Sequence, residues 1–233
     1  TRVARWTALA ILGVTVSYFG YLLFLAGLDA VERRRVLVVL ALFVSSALFW
    51  AGYEQAGSSL NLFAERFTDR MVGSFEIPAG WFQAPSALYI LIFAPMFSAL
   101  WIWLGRRNLD PSAPVKFALG LILLGAGFLV MVGAATLVAS GRLAGPQWLL
   151  MAYLLHCFGE LCLSPVGLSS VTKLAPPRFV GQMMGLWFLA TSLGNLMAGA
   201  IAGEFDSENV AAMPGQYLGI FWFGAISAVV LLL

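Results

Sequence analysis

The 233-residue chain has little charge: 10% of its residues are Asp, Glu, Lys or Arg, and 61% are hydrophobic. Soluble domains carry roughly 25% charged residues, so this chain lacks the polar surface that a water-soluble body needs. Its mean hydropathy of +0.91 points the same way. The composition therefore predicts an integral membrane protein in a lipid bilayer. The net charge of +2 gives no indication of a nucleic-acid partner.

Signatures of catalysis and cofactor binding are also scarce. His156 is the single histidine, whereas a zinc site needs three or four ligands, so we expect no metal. His156 and Ser164 lie about 12 Å apart by helical rise, too far for a serine-protease pair. The sequence has no Gly-rich loop that ends in Lys followed by Ser or Thr, which excludes a phosphate-binding motor of that type. We therefore expect neither an enzyme nor a cofactor.

Long apolar runs dominate what is present. A membrane-spanning helix needs about 20 apolar residues, and seven runs reach that length, at approximately 6–28, 36–64, 80–104, 115–139, 147–172, 180–203 and 215–233. Barrel strands would be shorter and would alternate in polarity, so we predict an all-α membrane protein. The first residue is Thr1, and the last run continues to Leu233. We expect a piece of a longer protein with a truncated last helix.

The basic residues are unequally divided between the two predicted sides of the membrane. Cytoplasmic loops carry an excess of Lys and Arg. One side has five basic residues, and the other has eight, namely Arg33, Arg34, Arg35, Arg106, Arg107, Lys116, Lys173 and Arg178. The side with eight is therefore predicted to be cytoplasmic, and the cell inner membrane is the expected location.

Two carboxylates interrupt this apolar pattern. Glu54 and Glu160 lie near the middle of predicted spans, while the other nine acidic residues lie in polar stretches. A charged side chain at that depth costs about 2.5–3.5 kcal/mol on insertion scales. Burial favours the neutral carboxyl, whereas a nearby cation favours the ionised one. One glutamate would then carry a proton and the other would hold a cationic substrate group. The two residues alone do not indicate which does which.

Polar residues at helical spacing surround both glutamates. Residues three or four positions apart share a helix face, and three such stripes occur: Trp50, Glu54, Ser58 and Asn61; His156, Glu160, Ser164 and Gly167; and Trp187, Thr191, Asn195 and Ala198. We expect these faces to look inward on a shared, water-filled cavity. The alternative is that the uncharged members only join helices by hydrogen bonds.

Three ring side chains in the stripes have open roles. Trp50 and Trp187 lie in mid-span, where they can line a cavity, contact a cation or simply pack. His156 precedes Glu160 by one turn, so it can tune that carboxyl or pack as a neutral ring. Cys157 and Cys162 are interpreted as apolar packing residues. Small residues four or seven apart predict close helix contacts at Gly13, Gly20, Gly27, Gly181, Gly185, Gly199 and Gly203.

Several collinear segments resemble the proton-dependent oligopeptide transporters. They match the seventh, eighth, tenth and eleventh helices of that family, in the order FWAGYEQAGSSL (49–60) with FAERFTDR (63–70), IPAGWFQ (77–83) with FAP (93–95), ELCLSPVG (160–167), and MMGLWF (183–188) with Gly194 and Asn195. The block at 160–167 is the most specific. Together the segments cover most of the chain after about residue 45.

The resemblance implies a major-facilitator fold of two six-helix halves, of which this chain is the C-terminal one. Residues 1–30 would form an extra transmembrane helix between the halves, and 31–233 the six-helix bundle. The partners would be protons, di- and tripeptides, and the missing N-terminal half, with the proton gradient as the energy source. Glu54 would couple protons, and Glu160 would bind the peptide amino terminus beside the cavity residues Ser164, Trp187, Trp50 and Asn195.

One position departs from the family pattern. Ser86 stands where the family usually has an asparagine, and serine donates one hydrogen bond rather than two. Peptide affinity or substrate class can therefore differ from the family norm, and Ser86 joins the predicted substrate-binding residues. A transporter of nitrate or of an amino-acid conjugate is one alternative. A membrane domain that binds peptides without moving them, as a receptor or scaffold, is the other.

Overall fold

The computed structural model describes residues 2–204 and 209–233, and these are almost entirely helical. Seven segments of the described chain are long and apolar enough to cross a membrane, which confirms the predicted all-α architecture. The helices are α1 (Arg2–Gly20), α2 (Ala30–Tyr53), α3 (Ser59–Phe67), α4 (Ala84–Arg106), α5 (Ala113–Ala139), α6 (Gln147–Leu174), α7 (Val180–Glu204) and α8 (Met213–Leu232). Such helices satisfy their own backbone hydrogen bonds in lipid.

The connection from the first span to the second has clear local causes. α1 continues as a π-helical turn, Tyr21–Leu25, and Gly27 then adopts a positive φ of 63° that glycine tolerates. Asp29 caps α2, because its carboxylate accepts from the backbone N–H groups of Val31 and Glu32, each at 2.7 Å. The backbone N–H of Asp29 in turn donates to the Glu32 carboxylate at 3.2 Å. This reciprocal capping fixes where α2 begins.

Polar contacts join the end of the first span to α7 and to the short turn Pro177–Phe179 that precedes it. The Arg178 guanidinium donates to the carbonyl oxygens of Ala26 and Gly27, at 3.0 and 3.2 Å. It also lies 3.7 Å from the Glu32 carboxylate. The Tyr18 hydroxyl hydrogen-bonds with the side-chain oxygen of Gln182. The predicted extra helix is thus attached to the rest of the bundle at its end nearest α2.

The centre of the bundle is a close contact between α5 and α6. Gly120 and Gly159 face each other, and a Cβ built on Gly159 would lie 2.7 Å from the Gly120 carbonyl oxygen. α5 also packs against α8, where Gly224 lies over the Leu121 carbonyl oxygen. Glycine at these positions lets two backbones approach. Glu160 follows Gly159, so this contact sets its depth in the bundle.

The glycines that spacing predicts to make close helix contacts do not make them among the described residues. No atom lies within 4 Å of a Cβ built on any of the set Gly13, Gly20, Gly27, Gly181, Gly185, Gly199 and Gly203. The prediction is wrong for these positions among the described residues. Spacing identifies residues on one helix face, but it does not say whether a neighbouring helix covers that face. The close contacts lie instead on the opposing faces of α5, α6 and α8, and between α7 and α2, where Gly194 lies against the Ala47 carbonyl oxygen.

We predict that Gly159→Ala destabilises the protein by about 1–3 kcal/mol, because overpacking forces the α5 and α6 backbones apart. The midpoint of thermal unfolding should therefore fall. Gly219→Ala in α8 is the matched control, since a Cβ there meets nothing within 4 Å. It should leave the midpoint unchanged or raise it, because alanine favours helix over glycine. Equal midpoints for the two variants would contradict the α5–α6 contact.

Candidate functional site

The second span is broken where it carries Glu54. α2 ends at Tyr53, Glu54–Gly57 form a 3-10 turn, and Ser58 has a non-helical backbone with φ −124° and ψ −96°. The prediction that the four stripe residues from Trp50 onward share one continuous helix face is therefore wrong. Spacing of three or four residues aligns side chains only while the helix is regular. The break instead leaves Glu54 half-buried at the point where the regular α-helix ends.

Gln55 holds this break together. Its side chain is fully buried, and its amide nitrogen donates to the carbonyl oxygens of Ala51 and Ala198, at 3.2 and 3.1 Å. Its amide oxygen accepts from the hydroxyls of Ser58 and Ser59, at 3.2 and 2.8 Å. An amide offers two donors and two acceptor positions, so all four are used. Ala198 belongs to α7, and the break is thereby attached to that helix.

The structure brings the two mid-span carboxyls together. Glu160 on α6 interacts electrostatically with Glu54 and with the Tyr53 hydroxyl. Both glutamates are half-buried. The second oxygen of Glu160, Oε2, is buried without a hydrogen-bond partner among the described residues. One oxygen of the Glu160 carboxyl can therefore still accept a hydrogen bond.

Ser86 joins the same cluster from the start of α4. The Cys157 thiol donates to the backbone carbonyl oxygen of Ser86 at 3.5 Å. Cys157 also interacts with Tyr53 and Glu160. Three helices thus contribute to one site: the end of α2, the beginning of α4 and the middle of α6. The position that departs from the family pattern is a neighbour of the carboxyl pair.

Trp50 and Ser164 are further polar side chains next to this cluster. The Trp50 ring stands nearly perpendicular to Tyr53, with the ring centroids 5.2 Å apart. Ser164 follows Glu160 by one turn of α6. The indole nitrogen of Trp50 and the hydroxyl oxygen of Ser164 are both buried, and neither has a hydrogen-bond partner in the described part of the chain. Both polar atoms are available to a ligand.

Three predicted residues lie apart from the carboxyl pair. Trp187 is 6% exposed, fits against Gly167 and meets Phe117 edge-on at 6.0 Å between centroids. His156 is 1% exposed, and its ring packs between Phe128, at 4.8 Å, and Tyr53, at 6.4 Å between centroids. Asn195 is exposed on α7. In this arrangement Trp187 and His156 contribute to helix packing, and Asn195 lies on an open surface.

Tyr53, Gln55 and Cys157 are members of the site that the sequence patterns did not identify. A signal for Gln55 was present, because an amide in the middle of an apolar span needs buried partners. Tyr53 and Cys157 carry weaker signals, since both residue types are common in apolar cores. Their roles depend on contacts between helices, which spacing along one helix does not reveal.

Comparison with known proteins identifies related chains. The family model described as "PTR2: POT family" matches residues 13–218. The chain is 47% identical over 218 residues to the peptide transporter YePEPT of Yersinia enterocolitica subsp. palearctica serotype O:3 (strain YE-P4). That match covers 93% of this chain and 43% of YePEPT. The chain therefore spans less than half the length of this curated relative.

Two solved structures share the fold over 99% of this chain. A peptide transporter POT crystallised with sulfate superposes with a TM-score of 0.89 at 35% identity, and the match covers 46% of it. A POT family transporter in complex with 5-aminolevulinic acid gives a TM-score of 0.87 at 26% identity, over 47% of its length. The predicted major-facilitator arrangement agrees with these neighbours.

We predict that Gln55→Leu lowers the midpoint of thermal unfolding, because it leaves buried carbonyl and hydroxyl groups unpaired. Each such group costs about 1–3 kcal/mol. Gln83→Leu is the matched control, since its amide donates to the Asn61 side-chain oxygen at 3.2 Å in a part-buried position. The control should lose much less stability. A Gln55 variant as stable as the control would show that this amide does not hold the break.

Proposed function

The chain belongs to the POT family, and on that premise we propose that it forms the C-terminal half of a symporter for protons and di- or tripeptides. Residues 1–30 supply the extra transmembrane helix between the halves, and 31–233 supply the six-helix bundle. The missing N-terminal half provides the other wall of the cavity, and the halves rock about a central site. The proton gradient is the energy source, with no cofactor and no enzymatic step, in the inner membrane.

The observation that supports this proposal best is the proximity of Glu54 and Glu160 in an apolar bundle. In the proposal Glu54 is the proton-coupling residue. Glu160 binds the amino terminus of the peptide, with Tyr53 orienting its carboxyl. A fixed carboxylate with a free acceptor oxygen suits a substrate ammonium, because charge-assisted hydrogen bonds are the stronger ones.

Coupling follows from the repulsion between two carboxylates. Like charges at short range in apolar surroundings are costly, so both groups are rarely ionised together without compensation. A proton on Glu54 removes one charge, and a substrate ammonium beside Glu160 compensates the other. Binding of the proton and binding of the cargo therefore favour each other. Such coupling is reciprocal for binding free energies.

The remaining predicted residues take subsidiary roles in the proposal. Trp50, Ser86 and Ser164 line the substrate cavity next to the carboxyl pair. Trp187 and Asn195 keep the substrate-binding role that the resemblance implies. For Trp187 this requires the contact with Gly167 to loosen during the transport cycle. His156 acts on Glu160 only indirectly in the proposal, because its ring packs against Phe128 and against Tyr53, which interacts with Glu160.

We predict that Glu160→Gln weakens dipeptide binding about tenfold or more, which corresponds to about 1.4 kcal/mol, because the neutral amide loses the ion pair with the peptide ammonium. Glu54→Gln should abolish gradient-driven accumulation and retain some exchange, because it removes the titratable group. Both are measured with labelled dialanine in proteoliposomes containing the intact protein, by counterflow and by gradient-driven uptake with the internal pH followed.

Glu65→Gln is the control, since this carboxylate is exposed at the end of α3, and it should transport as the unmodified protein does. Gradient-driven accumulation at the unmodified rate by both central variants would contradict the assigned roles. Dipeptide binding without any counterflow by the unmodified protein would favour the non-transporting receptor or scaffold.

A second candidate substrate is a small non-peptide solute that carries an amino group. Ser86 beside Cys157 favours it, because the shorter side chain recognises a peptide backbone with fewer donors. A relative binds 5-aminolevulinic acid, whose ammonium could occupy the same position at Glu160. We predict that excess 5-aminolevulinic acid inhibits dialanine counterflow and that nitrate, which lacks a cation, does not. Inhibition by nitrate alone would overturn this candidate.

A further inference from the structure

A polar pocket of about 440 Å³ lies at the predicted cytoplasmic end of the bundle. It opens between the end of α4, the start of α5 and the later turns of α6. Its polar lining consists of Trp101, Asp110, Ser112, Lys116, Ser169, Ser170 and Lys173. Its lining on α6 begins at Pro165 and reaches Lys173, which lies about 20 Å along the helix from Glu160 by helical rise, so Lys173 is well separated from the carboxyl pair. No role proposed above uses it.

Lys116 is the unusual member of this lining. It was counted among the basic residues of the cytoplasmic loops, yet it is only 7% exposed. Its ammonium lies 2.7 Å from the Asp110 carboxylate and 4.5 Å from the centre of the Trp101 ring. A buried cation is costly unless it is paired. An ammonium has three donors, and Asp110 takes one of them, so Lys116 can also serve an anion in the pocket.

The rest of the polar lining also favours an anion. Lys173 adds a second cation from the last turn of α6, so two lysines face one Asp110 carboxylate. The hydroxyls of Ser169 and Ser170 supply further donors. The indole N–H of Trp101 is buried and has no hydrogen-bond partner among the residues that the structure describes. An anion with several acceptor oxygens, such as a phosphoryl group, matches this donor set.

An apolar cavity of about 220 Å³ adjoins the pocket and shares Trp101 and Pro165 with it. The remainder of its lining is mostly apolar and includes Ala94, Phe97 and Leu161. A phospholipid combines a charged headgroup with apolar acyl chains. The cationic pocket suits the headgroup, and the adjoining apolar cavity suits part of an acyl chain. Basic pockets between membrane helices on the cytoplasmic side bind anionic headgroups.

We propose that Lys116, Lys173 and Trp101 form a binding site for a phosphoryl anion, supplied either by an anionic phospholipid headgroup or by free phosphate. The site is independent of the peptide site and goes beyond the proposed transport function. Asp110 competes with the anion for Lys116. Removing Lys173 or Lys116 therefore weakens binding, whereas removing the Asp110 charge strengthens it.

The lipid source is tested with the intact protein, reconstituted with phosphatidylcholine and phosphatidylglycerol and released in mild detergent. Native mass spectrometry then counts the phosphatidylglycerol retained. A lysine near the headgroups contributes enough to change affinity about fivefold, so K116Q and K173Q should each lower retention about fivefold. D110N should raise retention. R142Q, which removes an exposed basic residue at the other end of α5, should retain as much as the unmodified protein.

The soluble source is tested by titrating delipidated protein with inorganic phosphate at constant ionic strength. A phosphate-dependent rise in the thermal unfolding midpoint that K173Q abolishes, without preferential retention of phosphatidylglycerol, would assign the site to free phosphate. Lys173 is exposed, so its replacement keeps the fold even if K116Q does not. Equal retention and equal phosphate response in K173Q, D110N and the unmodified protein would overturn the proposal. So would a D110N effect in the same direction as K116Q, because that indicates a purely structural ion pair.

Discussion

The position of Glu54 depends on the break in the second span and on the side-chain amide of Gln55, which hydrogen-bonds across that break. Lipid offers no hydrogen bonds to an open backbone, so irregular structure at this depth must be satisfied within the protein. Gln55 does this by binding Ala51 on its own span and Ala198 on α7. Because Gln55 hydrogen-bonds to both α2 and α7, these two helices cannot separate at this level without leaving polar groups unpaired. The break that presents Glu54 is therefore also the joint between two helices.

Glu160 is positioned by a different kind of constraint, which is steric. The neighbouring Gly159 lets α6 approach the α5 backbone at Gly120, and the adjacent side chain then points toward α2. Tyr53 joins the two arrangements, because it ends α2 and its hydroxyl interacts with the Glu160 carboxyl. A hydrogen-bonded break and a glycine contact, far apart in sequence, thus place two carboxyls at one site.

The sequence predicts the fold better than it predicts the site. Run length alone gives the seven spans, because the bilayer sets the length of every helix, and the glutamates stand out by their cost in lipid. The stripe through Ser58 was wrong because regular spacing was assumed across a 3-10 turn. The glycine contacts were misplaced because spacing does not identify the neighbouring helix. Cys157 could not be found at all without the approach of Ser86 on another span.

The bundle contains two kinds of charged pair, one of opposite charges and one of like charges. At its predicted cytoplasmic end, Lys116 is paired with Asp110 at 2.7 Å and covered by an aromatic ring. Asp110 offsets the charge of Lys116 there, and Lys173 adds a second cation to the same pocket. Near mid-span, Glu54 and Glu160 are two groups of like charge that interact with each other, and Glu160 also interacts with the Tyr53 hydroxyl. A nearby like charge disfavours the ionised form of each carboxyl, and an opposite charge favours it. The proposed coupling uses this property, because a proton on Glu54 or a cation beside Glu160 would relieve the repulsion between the two groups.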